Sequence, residues 1–370
     1  MKLTVTRDNL QQGLAAVAGS VPVRTTLPVL ANLLLEADEG GLKLSGTDLD
    51  TAVSIRVPAE VEKGGAITVP ARKLQEIARE LPPDPVHLTT KGDATTIQCG
   101  RARFRLNGLP KDEFPGFPVV DFAGSWTLKG EELRELISRV AFAVSTEETR
   151  PILNGVLWHL SDREMRMVAT NGHRLAKMTL PLSNGGGSEA ADLIVHPRAL
   201  RQVEKLLGGD DRVEVRHSEN HLGFRGQGVE IYTRLIEGPY PNYEQVIPKD
   251  NDKVAIADRT ALAGVVKRMS IVASDQTHRV KLTLGGEALK FTVETPDLGD
   301  ATEELPVEYQ GEPLEIGFNA NYLIELLGNM PADEVRMSFK APEGAATIEP
   351  VGNEDTPDFL CLVMPLRLLD

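Results

Sequence analysis

Five of the seven histidines lie in the middle third of the chain, and histidine is the side chain most often used for metal binding and for acid–base catalysis. They are His159, His173, His196, His217 and His221. None of them forms the His-Glu-x-x-His motif of a zinc hydrolase, and no nucleophile elbow, glycine-rich phosphate loop or paired-carboxylate motif accompanies them. An enzyme that uses His173 stays an alternative, but the sequence favours a protein with no active site, metal or cofactor.

The cysteine content and the hydropathy pattern indicate the cell compartment. Cys99 and Cys361 are the only cysteines and are far apart, so neither a disulfide framework nor a zinc site is predicted. No apolar run approaches the roughly 18 residues that cross a bilayer, and Met1–Val5 alternates like a strand. We therefore expect a soluble cytoplasmic protein without a membrane partner.

The formal net charge of −14 argues at first against nucleic-acid binding, because DNA-binding domains usually carry excess basic charge. Net charge constrains only the sum, however, and a basic face can coexist with an acidic remainder. The six predicted helices described below contain more basic than acidic residues, whereas the rest of the chain is strongly acidic. The charge distribution thus favours a basic surface formed by helices.

The elements that would position these side chains occur three times along the chain. A short alternating strand precedes an amphipathic helix at Leu10, at Leu133 and at Leu262, and a second strand–helix unit recurs around Leu74, Leu200 and Leu323. A threonine marks a strand–turn–strand element between the two units, at Thr47, Thr170 and Thr295. Equivalent anchors recur about every 123 residues, as from Leu10 to Leu133, which indicates a triplicated domain.

The repeat predicts three tandem α+β domains, each with two helices packed on antiparallel sheet. Segments rich in proline and polar residues, such as Phe114–Pro118 and Pro239–Tyr243, favour domain boundaries near 122 and 249. The predicted domains are therefore 1–122, 123–249 and 250–370. The tract Ser183–Ser188 is predicted to be a loop tip within the second domain.

Seven strings in this order resemble the beta subunit of bacterial DNA polymerase III along the whole chain. They are Leu27–Leu35, Gly46–Leu49, Val69–Lys73, Leu153–Gly155, Thr170–Ala176, Tyr240–Tyr243 and Val363–Leu368. The resemblance implies a DNA sliding clamp, which is a processivity factor and not an enzyme. It implies a head-to-tail homodimeric ring of six clamp domains, with helices inside and antiparallel sheets outside, that encircles double-stranded DNA without reading its sequence.

The resemblance and the helix charges together predict the residues that face DNA. They are Arg24, Arg72, Lys73, Arg150, Arg198, Arg201, Lys205, Lys267 and Arg268. Any one of them can instead be an ordinary solvated residue of a helix surface. The resemblance also places Phe104 on one side of the dimer interface and Ile271 and Val272 on the other, although Phe104 can equally fill its own domain's core.

The resemblance further implies a hydrophobic cleft that docks short linear motifs of the replicative polymerase, the clamp loader and other clamp-binding proteins. Its residues are Leu153, Thr170, Gly172, His173, Arg174, Leu175, Pro241, Val246, Asn319, Tyr322, Val363, Met364, Pro365, Leu366 and Arg367. Leu153, Leu175 and Val246 can alternatively be core residues. Gln245, Thr277 and Leu366 depart from the family pattern, so the motif preference stays open. A scaffold that binds no DNA is the remaining alternative.

Overall fold

The computed structural model describes residues 1–118, 124–161, 163–182, 190–209, 212–352 and 358–368. Two α-helices lie in each third of the sequence, as the apolar spacing predicts. The helices are α1 (Arg7–Val17), α2 (Ala71–Glu80), α3 (Gly130–Val140), α4 (Pro197–Leu207), α5 (Arg259–Ser270) and α6 (Ala320–Gly328).

The described residues form two compact units, of which the first contains 1–134 and 198–235. Its strands are β1 (Lys2–Val5), β2 (Asn32–Asp38), β3 (Gly41–Thr47), β4 (Thr51–Val57), β5 (Glu60–Lys63), β6 (Gly65–Pro70), β7 (Val86–Lys91), β8 (Ala94–Cys99), β9 (Ala102–Asn107), β10 (Gly124–Lys129), β15 (Arg212–His217), β16 (His221–Gly226) and β17 (Val229–Arg234). They form a five-stranded sheet in the order β5-β1-β7-β8-β9 and an eight-stranded sheet in the order β10-β15-β16-β17-β4-β3-β2-β6.

The second unit contains the described parts of 135–197 and 236–370. Its strands are β11 (Val156–Leu160), β12 (Glu164–Thr170), β13 (Arg174–Pro181), β14 (Ala191–Val195), β18 (Lys253–Asp258), β19 (Arg279–Gly285), β20 (Ala288–Thr295), β21 (Gly299–Pro306), β22 (Glu308–Gln310), β23 (Leu314–Asn319), β24 (Glu334–Phe339), β25 (Ala346–Val351) and β26 (Asp358–Val363). They form a nine-stranded sheet in the order β14-β11-β12-β13-β26-β25-β24-β18-β22 and a four-stranded sheet in the order β21-β20-β19-β23.

The helices begin and face as their sequences predict. The Thr6 hydroxyl accepts a hydrogen bond of 3.2 Å from the Asn9 backbone N–H at the start of α1, and Asp258 does the same at 2.7 Å for Ala261 in α5. One stripe of each helix is buried against sheet, as Leu10 and Leu14 are in α1. All strand pairs of the described residues are antiparallel, so the α+β prediction is confirmed.

The threonine turn is the same in the first two repeats and different in the third. The Thr47 hydroxyl donates to the Thr51 carbonyl and the Thr170 hydroxyl to the Arg174 carbonyl, at 3.1 and 2.7 Å. The prediction that Thr295 is their equivalent is wrong by one residue. Its hydroxyl donates to the Val272 carbonyl at 2.6 Å. The buried Val293 matches the buried Ala169, so Glu294 takes the Thr170 position, and the Glu294–Asp300 pair encloses one residue more than the Thr170–Leu175 pair.

Two sequence predictions fall outside the described residues, namely the domain boundary near 122 and the loop tip Ser183–Ser188. Among the helices of the described residues, none is long and apolar enough to span a membrane.

Candidate DNA-facing helices and partner cleft

Three helices of the first unit lie side by side and carry much of its predicted DNA-facing charge. The Gln75 side chain of α2 donates to the Leu14 carbonyl of α1 at 3.1 Å. Lys205 of α4 donates to the Ala15 carbonyl of α1 at 3.4 Å, and Arg198 donates to the carbonyl of Gly19, just after α1, at 3.4 Å. The sequence separation of about 190 residues shows that the fold brings α4 to α1.

The basic residues of the first unit are exposed, but several already have anionic partners. Arg72 and Lys73 both bind Glu76, at 2.9 and 2.7 Å, which lowers the pKa of that carboxyl. Arg198 contacts Asp48 at 2.7 Å. Arg24 and Arg201 are exposed as well. A phosphate would therefore compete with weak surface ion pairs, which contribute about 0–1 kcal/mol each.

The second unit holds the other predicted DNA-facing residues. Arg150 binds Glu147 through two nitrogens, one at 3.0 Å. In α5, Lys267 is exposed and Arg268 binds Glu303, which lowers the pKa of that carboxyl. These residues lie on different elements, and the described contacts do not join Arg150 to α5.

The turn between β12 and β13 is built by side-chain hydrogen bonds to backbone. The Thr170 hydroxyl accepts from the Gly172 N–H at 3.1 Å, and Asn171 Oδ1 accepts from the N–H groups of His173 and Arg174 at 2.9 and 3.0 Å. Gly172 has φ +88°, a conformation that glycine adopts without strain. The turn thereby exposes His173 and directs Arg174 inward.

Arg174 is buried at the base of the predicted cleft and is not an exposed anchor. Its guanidinium binds the Glu325 carboxylate and donates to the Phe142 carbonyl at 2.8 Å. It also lies over the rings of Phe142 and Tyr322, at 5.3 and 4.7 Å from their centroids. Because Tyr322 stacks on His173 at 6.4 Å, Arg174 holds the aromatic wall of the cleft in place.

The predicted cleft residues divide into a buried set and an exposed set. Leu175, 1% exposed, packs in a core cluster with Leu157 and Leu362, and Leu153 is 8% exposed. Val246 and Met364 are 54% and 38% exposed, so they offer apolar surface to a ligand. The core interpretation thus holds for Leu153 and Leu175 and fails for Val246. The remaining members are Thr170, Pro241, Asn319, Tyr322, Val363, Pro365, Leu366 and Arg367, of which Val363 is buried and Pro241 and Arg367 are exposed.

The Asn319 side chain caps a helix, so only part of it is available to contact a ligand. Its Oδ1 accepts from the N–H groups of Asn321 and Tyr322, at 2.9 and 3.4 Å, and so caps α6. The Nδ2 group, which donates, is the part of Asn319 that can serve a bound peptide.

The carboxyl-terminal segment runs along the edge of two sheets. The Met364 N–H donates to the His173 carbonyl and the Leu366 N–H to the Gly317 carbonyl, each at 2.8 Å. Arg279 donates to the Arg367 carbonyl at 3.1 Å. A Cβ at Gly317 would lie 2.9 Å from the Leu366 carbonyl oxygen and from Leu368, so only glycine permits this approach. Sequence reasoning missed Gly317 and Arg279, because no local pattern marks them.

Two of the three predicted interface residues are exposed. Phe104 lies on β9, at the edge of its sheet, and is 37% exposed, so it does not fill its own domain's core. Ile271 follows α5 and is 75% exposed, and Val272 is half-buried beside it.

The histidines have ordinary structural partners. His159 contacts Asp192 at 2.7 Å, and His217 stacks on Trp126 at 5.2 Å. In the portion of the chain that the structure describes, no three histidine, cysteine or acidic side chains cluster as a metal site would require. Burial raises the pKa of the Cys361 thiol, so that thiol is poorly nucleophilic.

Three repeated α+β domains, basic helices and an apolar cleft define the clamp class of DNA-replication proteins. Family models of the DNA polymerase III beta subunit match in order, with the N-terminal domain at residues 1–118, the central domain at 127–242 and the C-terminal domain at 244–367. The beta sliding clamps of Pseudomonas putida and Escherichia coli are 35% and 33% identical over 100% of both chains. The chain belongs to the DNA polymerase III beta subunit family.

Solved structures agree with this assignment. The DNA polymerase III subunit beta of Pseudomonas aeruginosa has 33% identity and a TM-score of 0.94, covering 99% of this chain and 100% of that one. A sliding clamp from Bartonella birtlesii bound to griselimycin has 35% identity and a TM-score of 0.94, covering 100% of both. The fold of three tandem clamp domains is therefore confirmed.

Proposed function

We propose that two copies of this chain join head to tail into a cytoplasmic ring that encircles duplex DNA and keeps the replicative polymerase on its template. The proposal takes the three domains as 1–122, 123–249 and 250–370. The observation that carries it is a strand junction that occurs twice within the chain, while the edge strands β9 and β21 have no such partner among the described residues.

Within each unit, one sheet runs across two repeats through the same strand pair. In the first unit β17 pairs with β4, and Ile231 lies opposite Val53. In the second unit β26 pairs with β13, and Cys361 lies opposite Ala176. Val53 and Ala176 each lie one residue beyond the last strand pair of their own hairpin, so both junctions have the same register. All four of these residues are 0% exposed.

The same rule pairs β9 with β21 of another copy. Both are edge strands of their own sheets. The shared register sets Phe104 opposite Ala301 and Arg105 opposite Asp300. Phe104 is the counterpart of Ile231 and Cys361, but it is 37% exposed where they are 0% exposed. Burial of Phe104 against a second copy would match the other two junctions. It would stabilise the dimer by about 25 cal/mol for each Å2 of apolar surface removed from water.

Charge also favours this pairing. Strand β9 carries Arg103 and Arg105, whereas β21 carries Asp300, Glu303 and Glu304. Opposite charges on facing strands stabilise pairing by about 0.2–1 kcal/mol each, and like charges would oppose the pairing of two β9 or two β21 edges. The charges thus favour head-to-tail contact over the two alternatives.

The exposed basic residues suit a weak, sequence-independent contact with phosphates. Most are already paired with carboxylates, so DNA contact exchanges one ion pair for another and gains mainly from counterion release. Retention on DNA then depends on ring closure and not on affinity. Such a protein requires no cofactor.

The cleft supplies the attachment for partners. Val246 and Met364 present apolar surface, His173 and Arg367 are exposed beside it, and methionine adapts to different ligands. We infer that the replicative polymerase, the clamp loader and other clamp-binding proteins dock a linear peptide motif here. Solved relatives with griselimycin support ligand binding in this family.

A retention assay on DNA circles tests the ring. The chain is loaded onto nicked circular plasmid by the cognate clamp loader with ATP, and one half of the sample is then linearised. A closed ring stays on the circle and leaves the linear DNA through its ends. Equal loss from both forms would contradict the proposal and favour a scaffold without topological DNA binding.

The enzyme alternative has a separate readout. It requires a turnover that His173→Ala abolishes, whereas a clamp with this variant still stays on circular DNA and loses only partner binding.

A further inference from the structure

The turn that exposes His173 at the second junction has a twin at the first junction. The Thr47 hydroxyl accepts from the Leu49 N–H at 3.0 Å, as Thr170 does from Gly172. Asp48 Oδ1 accepts from the N–H groups of Asp50 and Thr51, at 3.2 and 2.8 Å, as Asn171 does from His173 and Arg174.

A backbone hydrogen bond that joins the end of the neighbouring strand, β17 or β26, to the turn is also repeated. The Arg234 N–H donates to the Asp50 carbonyl at 2.8 Å, and the Met364 N–H donates to the His173 carbonyl at 2.8 Å. Residue by residue, Leu49 therefore occupies the Gly172 position and Asp50 the His173 position.

A cavity opens beside the twin turn, where the cleft lies at the second junction. Its volume is about 160 Å3, and its apolar lining includes Leu49, Phe117, Pro118 and Tyr232. Tyr232 is the register counterpart of Leu362, which underlies the cleft, and the proline-rich segment Pro115–Pro118 takes the place of Pro241 and its neighbours. Phe117 meets the Tyr232 ring edge-on at 5.8 Å, which fixes the wall of the cavity.

Leu49 has a conformation that its own side chain disfavours. Its φ is +80°, close to the +88° of Gly172, and its side chain is 55% exposed. A non-glycine residue in this left-handed backbone region costs roughly 1–2 kcal/mol of stability. The exposed part of the Leu49 side chain contributes no hydrophobic burial in the free chain that would offset this cost. The cost is understandable if the leucine contacts a ligand.

We propose that this cavity is a second peptide-docking site, which takes one apolar side chain of a linear peptide that carries a basic residue next to it. The inference rests on the proposed function to the extent that it assigns peptide binding to the cleft at the second junction.

Size and charge select this ligand. The cavity is smaller than the roughly 300 Å3 of a small-molecule site, so it accommodates one side chain and not a whole organic ligand. The exposed Asp50 carboxylate takes the place of the His173 imidazole, so this position carries a negative charge that favours a basic neighbouring residue. Burial, with nearby Arg234, lowers the pKa of His221, which disfavours a cationic imidazole near Asp50.

Methyl NMR of the full-length protein tests the site. The probes are acetyl-leucyl-arginine amide and its matched control acetyl-leucyl-glutamate amide, and the reporters are the Leu49 methyls at the first junction and the Met364 methyl at the cleft. We expect the arginine probe to shift the Leu49 signals with saturation near 1 mM, and the glutamate probe to bind at least threefold more weakly. Asp50→Asn should abolish the difference between the two probes.

The outcomes separate the two sites. Leu49 signals that stay unchanged up to roughly 5 mM of either probe would overturn the second site, whatever happens at Met364. A shift at Leu49 that Asp50→Asn leaves equally selective would overturn the charge assignment. Failure of the ring on circular DNA would leave the Leu49 titration unaffected, so the two proposals fail independently.

Discussion

At the scale of single residues, Arg174 illustrates how a motif can be found from sequence while its physical role cannot. The string Thr170–Ala176 marks the position, but the partners of Arg174 lie elsewhere, with Glu325 151 residues away. No local pattern predicts that its side chain is 8% exposed and lies between two aromatic rings. The exposed Val246 and the buried Leu175 were likewise indistinguishable in sequence, because both are aliphatic residues near turns.

We expect Arg174→Ala to destabilise the second unit by about 2 kcal/mol. The variant loses the stacking on Phe142 and Tyr322 and leaves the Phe142 carbonyl without its donor. We discount the ion pair itself, because the Glu325 side chain is 50% exposed and regains water. Amide hydrogen exchange in β13 and β26 measures the loss.

The matched control for this prediction is Arg225→Ala, whose side chain is 47% exposed and pairs with Glu230. It should cost no more than about 1 kcal/mol. If both variants changed exchange equally, the structural role of Arg174 would be refuted. Arg174→Lys should recover little, since an ammonium cannot stack and donate as the planar guanidinium does.

At the scale of elements, the helices were predictable and the connections between sheets were not. The spacing of Leu133, Leu136 and Ile137 suffices to predict the buried face of α3. The pairing of β17 with β4 or of β26 with β13 joins segments more than a hundred residues apart, which periodicity cannot show. The misplaced Thr295 has the same origin, because a single added turn residue shifts the register without altering the alternation.

The carboxyl-terminal segment gives a prediction at this scale. Gly317→Ala should detach Leu366 from β23, because the new Cβ would lie 2.9 Å from the Leu366 carbonyl oxygen. Since the same segment places Met364 and Pro365 at the cleft, affinity for a fluorescent clamp-binding peptide should fall about tenfold, or about 1.4 kcal/mol. Carboxypeptidase should also remove the last residues faster.

Gly328→Ala is the control, because no atom lies within 4 Å of its added Cβ. It should leave both the peptide affinity and the digestion rate unchanged. Faster digestion of Gly317→Ala with undiminished peptide affinity would show that the docked segment does not position the cleft.

At the scale of the whole molecule, a net charge of −14 is compatible with DNA enclosure because charge is distributed unequally between elements. The helices carry the exposed Arg72, Arg201 and Lys267, whereas strands such as β21 carry acidic residues. We expect the contact of these residues with phosphates to be weak and sensitive to salt, as the proposed sliding ring requires. The acidic residues of the edge strand β21 also favour pairing with a strand that carries basic residues.

The intermolecular junction can be tested by reversing its charges. Phe104→Asp should yield monomers in analytical ultracentrifugation, because a carboxylate would take the place of a side chain whose counterparts are fully buried. In the proposed register, Arg105→Glu places a carboxylate opposite Asp300 and should raise the dimer dissociation constant at least tenfold, about 1.4 kcal/mol, since the proposed ring would contain the contact twice.

Asp300→Arg alone should weaken the dimer in the same way, by setting two guanidinium groups against each other. Combining Arg105→Glu with Asp300→Arg restores opposite charges in the proposed register, and we expect the dissociation constant to return to within about threefold of the original. A double variant as weak as the sum of the two single variants would show that Arg105 and Asp300 do not face each other. The Phe104→Asp variant separately tests whether β9 is buried in the dimer, whatever the register of its pairing with β21.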